Sequence, residues 1–171
     1  MMRLLNNQGM YAEEIINRTC DFLIHNDEEL SIEKRNIPIK IIQKINQNTV
    51  MAKLLSKSTV DYFGFFNTTY FEFEVKQTSN TYFDINLLKE HQIDTLKKDI
   101  KRNIQSFVLI FFDKYEKFFI LNSEDLFSSK SKKINFNFFE KNCDEIEIIY
   151  PGILDIKILK NWLLKNSDKY N

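Results

Sequence analysis

Apolar and polar residues alternate most clearly between residues 58 and 78, in the run STVDYFGFFNTTYFEFEVKQT. Period-two alternation with many aromatic and β-branched residues is typical of strands, and Asn67-Thr68-Thr69 predicts a turn between two of them. Three charged residues interrupt this sheet-like pattern: Asp61, Glu74 and Lys76. Because an unpaired buried charge costs several kcal/mol, each of them requires a partner or a function.

The remaining pattern predicts an α/β fold in which helices surround a mixed central sheet. The apolar run 107–112 indicates a strand in the middle of a covered sheet. Asn86 is expected to cap the second long helix. No repeat or linker rich in Pro and Gly divides 1–171, so a single domain is expected. Helices are predicted over 10–24, 86–102, 123–127, 135–142 and 153–165, strands over 37–45 and 118–121, and a short helix or an extended connection over 50–55.

Composition narrows the class of protein. With 43% hydrophobic residues in 171, the chain can bury one sizeable core, and its apolar runs are too short to span a membrane. Residues 1–7 lack the apolar segment of a signal peptide, so a cytoplasmic protein is expected. Cys20 and Cys143 lack the spacing of a metal or redox motif, which predicts two free thiols.

The formal net charge of zero hides a local segregation of charge. Residues 34–60 contain no Asp or Glu. A solvated surface is the common explanation of such a cluster, but an acid-free run that leads into a carboxylate-bearing hairpin could also bind a polyanion. The cations of this run are Lys34, Arg35, Lys40, Lys44, Lys53 and Lys57.

The geometry of a strand predicts which face of the sheet each charged side chain of the hairpin occupies. Side chains alternate along a strand, so Glu74 and Lys76 face one side and Phe73 and Val75 the other. If the hairpin brings Asp61 alongside, two carboxylates and an ammonium group converge, which suits Mg²⁺ and metal-assisted hydrolysis. The alternative is an internal salt bridge between Lys76 and one of the two acids.

The order of these motifs resembles the PD-(D/E)xK nuclease superfamily and, more narrowly, the RecU family of Holliday junction resolvases. The resemblance spans roughly the whole chain. It implies a restriction-endonuclease-like sheet flanked by helices, with a short protruding stalk within about 37–57. The matching stretches are Gly9-Met10-Tyr11-Ala12-Glu13, Ile37-Pro38-Ile39-Lys40, Ser58-Thr59-Val60-Asp61-Tyr62-Phe63-Gly64, Phe73-Glu74-Val75-Lys76-Gln77-Thr78, His91-Gln92 and Phe107-Val108-Leu109-Ile110.

The resemblance also implies roles for individual residues. Asp61 and Glu74 would bind the metal, with Glu13 as an additional acid, although Glu13 is equally explained as a solvated acid in the first turn of a helix. Lys76 would be the catalytic lysine, and Gln92 would hold water or phosphate. Thr59 and Gln77 would flank the site, and Thr59 would contact DNA together with the cations of residues 34–57.

The implied activity is Mg²⁺-dependent cleavage of four-way DNA junctions, with Mn²⁺ as an alternative ion. The implied partners are branched DNA, a second copy of the chain in a homodimer, and a recombinase. Two alternatives remain: a nuclease of the same fold that cuts ordinary duplex, and a junction-binding or recombinase-modulating protein with weak or no cleavage.

Overall fold

The structure, a computed structural model, describes residues 10–55 and 59–167. Five helices and twelve strands alternate along these residues, with one short 3-10 helix, Ile85–Leu87. The helices are α1 (Met10–Asn26), α2 (Glu90–Lys101), α3 (Ser123–Ser128), α4 (Phe136–Asn142) and α5 (Ile156–Ser167). The strands are β1 (Leu30–Lys34), β2 (Ile39–Lys44), β3 (Val50–Leu54), β4 (Tyr62–Phe66), β5 (Thr69–Thr78), β6 (Tyr82–Asp84), β7 (Gln105–Phe112), β8 (Lys117–Asn122), β9 (Lys133–Asn135), β10 (Asp144–Ile146), β11 (Ile148–Ile149) and β12 (Ile153–Leu154).

Six strands form the central mixed sheet, in the order β1-β4-β5-β7-β8-β10. Neighbouring strands are antiparallel except β5 and β7, which run parallel. All eight residues of β7 are buried, which confirms the prediction of a central covered strand. Its residues alternate between two hydrophobic clusters: Phe107, Leu109 and Phe111 face α1 and α5, and the intervening residues face α2, α3 and α4. The predicted α/β architecture is therefore confirmed.

Strands β4 and β5 form the predicted hairpin, with a turn at Asn67 and Thr68. Asn67 takes the left-handed backbone conformation, φ 52°, which asparagine tolerates better than most residues. Gly64 of β4 lies against β1, where a side chain would collide with the carbonyl oxygen of Ser31 and the ring of Phe71. Its lack of a side chain thus permits the close packing that places β4 beside β1.

Strands β2 and β3 form a separate two-stranded ribbon, which occupies the segment predicted as the stalk. The backbone closes between the two strands, where the Ile45 N–H donates to the Thr49 carbonyl at 2.9 Å. Every residue of both strands is exposed, so the ribbon has no core of its own. Residues 50–54 form a strand, so of the two predictions made for 50–55 the extended connection is correct and the short helix is wrong.

Several local predictions were wrong. Asn86 does not cap α2: it lies in the 3-10 helix, where its N–H donates to Asp84 Oδ1, and α2 begins three residues after that helix ends. Strand β1 was not predicted, because only Leu30 and Ile32 of its five residues are buried. Residues 153–154 form a strand, and α5 begins at Ile156.

Both cysteines are free thiols, as predicted. Burial raises the pKa of each thiol to about 12, so neither is a reactive thiolate near neutral pH. No helix among the described residues has the length and hydrophobicity needed to cross a membrane.

Candidate active site

The hairpin register brings Asp61 beside Glu74. Asp61 directly precedes β4, whose first residue, Tyr62, lies opposite Phe73 on β5. The backbone N–H of Asp61 donates to Glu74 Oε2 at 3.2 Å. The two acids, thirteen positions apart in sequence, are therefore neighbours at the start of β4.

Glu74 lies at the centre of a set of polar contacts. Its side chain is fully buried, and its Oε1 accepts hydrogen bonds from Lys76 Nζ at 2.8 Å and from Gln92 Nε2 at 2.6 Å. Phe73 and Val75 pack on the opposite face of the sheet, in the cluster that faces α1 and α5. The alternation predicted for β5 is thus observed.

Burial raises the pKa of the Glu74 carboxyl group to about 8. Lys76 opposes this shift because it stabilises the charged form, and the nearby Asp61 carboxylate adds to it by repulsion. A buried acid with a strongly raised pKa beside a second acid is a common feature of functional sites.

Gln92 links this site to the start of α2. Its Oε1 accepts a hydrogen bond from the Lys89 N–H at 2.9 Å, which closes the first turn of the helix. Its amide nitrogen donates to Glu74, so the same side chain caps a helix and contacts the acid. Gln92 therefore contacts Glu74 directly, and its role in holding water or phosphate stays a prediction.

Glu13 has a different partner. Its carboxylate forms an ion pair with Lys34 Nζ at 2.8 Å, and the Lys34 ammonium also lies over the ring of Tyr62, 5.5 Å from the centroid. Within 10–55 and 59–167, no group of three His, Cys, Asp or Glu residues could hold a metal ion. The structure therefore does not gather Glu13 with the two other acids, and its role as a metal ligand stays a prediction.

Gln77 lies near the site but contacts another helix. Its Oε1 accepts a hydrogen bond from the Ala12 N–H at 3.1 Å, and its amide donates to Asp113 Oδ1 at 2.6 Å. Gln77 thereby fixes the first turn of α1 against the end of β5. Thr59 is exposed in the bend that precedes Asp61.

A second polar cluster lies nearer the start of β5, and sequence reasoning missed most of it. Arg35 forms an ion pair with Glu72 at 2.8 Å, and the Tyr70 hydroxyl donates to the same oxygen of Glu72 at 2.5 Å. Asp99 of α2 lies close enough for the Glu72 carboxylate to raise its pKa. The sequence did contain a signal for Glu72: it lies two residues before Glu74 and therefore on the same face of the strand.

The predicted DNA-binding cations divide into two groups. Lys34 and Arg35 form the ion pairs described above. Lys40, Lys44 and Lys53 are exposed on the ribbon, and Lys40 lies directly opposite Lys53. Like charges in such a cross-strand pair repel each other, and a bound anion would relieve the repulsion. Lys57 lies outside the described residues.

The donor groups at the site suit Mg²⁺. This ion usually takes one or two protein carboxylates and completes its shell with water and substrate phosphate oxygens. Asp61 and Glu74 supply two carboxylates, and a divalent cation would relieve their mutual repulsion, which adds to the effect of burial on the pKa of Glu74. The residues present therefore fit the ion that the resemblance implies.

The mixed sheet, with an acid before one strand and Glu-x-Lys on the next, has the arrangement that the resemblance to the PD-(D/E)xK nuclease class implies. The family model of Recombination protein U, RecU, matches residues 7–161. The chain therefore belongs to the RecU family.

Two curated relatives are similar over most of their length. The chain is 35% identical over 159 residues to a Holliday junction resolvase RecU of Ureaplasma parvum, covering 91% of this chain and 92% of the relative. It is 34% identical over 149 residues to the protein of that name from Mycoplasmopsis pulmonis, covering 87% and 90%. The solved Holliday junction resolvase Hjc of Archaeoglobus fulgidus aligns with 88% of this chain and 98% of its own at 12% identity and a TM-score of 0.45.

Proposed function

We propose that this chain is a Mg²⁺-dependent endonuclease that cuts four-way DNA junctions in the cytoplasm. The single observation that carries the proposal is the grouping of Asp61, Glu74 and Lys76 at the β4–β5 hairpin: Glu74 accepts hydrogen bonds from the Asp61 backbone N–H and the Lys76 ammonium group, and the two carboxyl groups repel each other. Membership of a family whose curated relatives are named Holliday junction resolvases supports the choice of substrate.

Each residue of the site has a chemical role in this proposal. Asp61 and Glu74 would hold the ion, which when bound would supply charge stabilisation at the scissile phosphate. Lys76, whose side chain is 17% exposed, presents an ammonium group that can orient a water molecule or stabilise charge that develops on a phosphate oxygen. Gln92 fixes the orientation of Glu74 through their hydrogen bond.

The ribbon supplies the contact with DNA. Lys40, Lys44 and Lys53 form an exposed cationic surface that contains no acid, and phosphate groups are its natural ligands. Thr59 and Lys57 lie in the chain between the ribbon and Asp61, so the DNA-binding residues of this proposal are continuous in sequence with the first acid. Manganese would replace magnesium, since both ions prefer oxygen ligands.

The active form in this proposal is a homodimer. A four-way junction has two equivalent strands to cut, and a two-fold symmetric dimer would place one active site at each. A recombinase is a further proposed partner, which rests on the family resemblance alone.

The test is cleavage of a synthetic four-way junction in the presence and absence of Mg²⁺, with a linear duplex of the same sequence as control. The proposal predicts symmetric nicks in the junction that require the ion, and an intact duplex. Equal cutting of both substrates would show a duplex nuclease. Tight junction binding without any product would show a binding protein and would contradict the proposal.

A further inference from the structure

Arg35 connects the base of the ribbon to the catalytic hairpin through its backbone. It directly follows β1, whose last residue, Lys34, lies opposite Tyr62. The Arg35 N–H donates to the carbonyl oxygen of Asp61 at 2.8 Å. This bond continues the ladder between β1 and β4 by one residue and fixes the peptide group of Asp61.

The Arg35 side chain contacts both strands of that hairpin. The guanidinium group donates to Glu72 Oε1 at 2.8 Å and to the Tyr70 hydroxyl at 3.1 Å, both on β5. It also lies over the ring of Phe63 on β4, 5.0 Å from the centroid. Side-chain exposure is 30% for Arg35 and 11% for Glu72, so the ion pair is largely shielded from water.

The surroundings of Glu72 require this cation. Asp99, which is 3% exposed, is close enough for the two carboxyl groups to repel each other. Among the described residues, Glu72 Oε2 and Asp99 Oδ2 have no hydrogen-bond partner. If Arg35 turned outward to bind phosphate, Glu72 would remain beside another carboxyl group without its counter-ion.

We propose that Arg35 is a positioning residue of the active site rather than a phosphate-binding residue. It holds Asp61 through the backbone and Glu72 through the side chain, and Glu72 lies two residues from Glu74 on the same strand. Arg35 therefore sets the separation of the two acids that would share the metal ion. This inference rests on the proposed function, because it assigns the two acids to metal binding.

The experiment compares Arg35→Gln with Arg35→Lys, which keeps the charge. Arg18→Gln is the matched control, since Arg18 is an exposed arginine paired with Glu14 on α1. Three quantities are measured: Mn²⁺ affinity of the protein without DNA, the single-turnover cleavage rate of bound junction, and the salt dependence of junction affinity. Circular dichroism verifies that each variant is folded.

We expect Arg35→Gln to lower both Mn²⁺ affinity and the cleavage rate by about tenfold, the effect typical of residues that orient metal ligands. Arg35→Lys should recover part of both losses, and Arg18→Gln should match the wild type. The slope of log affinity against log salt should not change. If Arg35 bound phosphate instead, Arg35→Gln would reduce that slope by about one and leave Mn²⁺ affinity unchanged, which would overturn the inference.

Two further outcomes are distinguishable. If wild-type protein bound Mn²⁺ but did not cut junctions, the proposed function would fail, and the Mn²⁺ affinity of Arg35→Gln would still decide the role of Arg35. If Arg35→Gln did not fold, Glu72→Gln would replace it in the experiment. That variant keeps the arginine but replaces its ion pair with β5 by a weaker, uncharged contact. A smaller loss of Mn²⁺ affinity in Glu72→Gln is expected, and an unchanged affinity would contradict the inference.

Discussion

Lys76 Nζ lies 2.8 Å from Glu74 Oε1, and the two side chains are 17% and 0% exposed. The sequence left open whether this pair is an internal salt bridge or part of a catalytic site. In the structure it is a salt bridge, but Asp61 and Gln92 also contact the same carboxylate. A structural ion pair needs no second acid beside it, so the arrangement favours a functional site in which the two acids would bind a divalent cation.

Replacing Lys76 with Met should remove the ammonium group and keep most of the side-chain volume. We expect single-turnover cleavage of the junction to fall by about 10² to 10³, the cost of losing one preorganised electrostatic contact. Junction affinity should change little, since Lys76 is mostly buried. Lys141→Met, at an exposed position of α4, is the matched control. An unchanged cleavage rate in Lys76→Met would remove this lysine from the chemistry.

Replacing Gln92 with Leu should remove both hydrogen bonds of this side chain and keep most of its volume. Loss of the bond to the Lys89 N–H should lower the free energy of unfolding by about 0.5–2 kcal/mol, the usual range for a helix cap. Loss of the bond to Glu74 should also reduce cleavage, because that carboxylate could then rotate. Chemical denaturation and single-turnover kinetics measure the two effects. Full activity in a destabilised Gln92→Leu protein would show that Gln92 is only a cap.

Replacing Lys40 or Lys53 with Ala should weaken junction binding through lost phosphate contacts. Each change should reduce the slope of log affinity against log salt by about one. The single variants should also relieve the repulsion across this strand pair, so the protein should be no less stable than wild type. A salt slope equal to that of Lys141→Ala would show that the ribbon does not bind DNA.

Asp99 should make stability depend on pH. Burial and the nearby Glu72 carboxylate together raise the pKa of its carboxyl group to about 7, against the opposing effects of Arg102 and Arg35. The folded protein therefore retains a proton that the unfolded chain, with a pKa near 3.9, releases. The contribution of Asp99 to the free energy of unfolding should fall as pH rises from about 4 to about 7 and level off above that range.

Asp99→Asn should remove this contribution. The variant should gain stability relative to wild type as pH rises from 4.5 to 8, with an upper limit of about 4 kcal/mol at roughly 1.4 kcal/mol per pKa unit. Denaturation at several pH values measures the difference, in which contributions from other titrating groups largely cancel. A difference between the two proteins that does not change with pH would contradict the raised pKa.

The sequence predicted those features that depend on local pattern. The alternation around Glu74 and Lys76 determined which face of β5 they occupy, and the short turn at Asn67 determined the register that brings Asp61 alongside. Strand β1 escaped prediction because two buried residues among five give little periodic signal.

Contacts between elements that lie far apart in the sequence could not be predicted from the pattern of residues. Glu13 pairs with Lys34 because α1 packs beside β1, and nothing in either segment indicates the other. Arg35 and Glu72 are 37 positions apart, and their pairing follows from the order of strands in the sheet. Asp99 was unexpected because an acid on a helix is usually exposed.

The most direct test of the catalytic site is the rate at which bound four-way junction is cut by wild-type protein and by Asp61→Asn and Glu74→Gln. Each substitution keeps side-chain size and replaces a carboxyl group that would bind the metal ion with an amide. With saturating protein and Mg²⁺, wild type should nick two opposed strands, and each variant should bind the junction with similar affinity but cut it at least about 10² times more slowly. Cutting at the wild-type rate by either variant would show that the acids on β4 and β5 are not the catalytic pair.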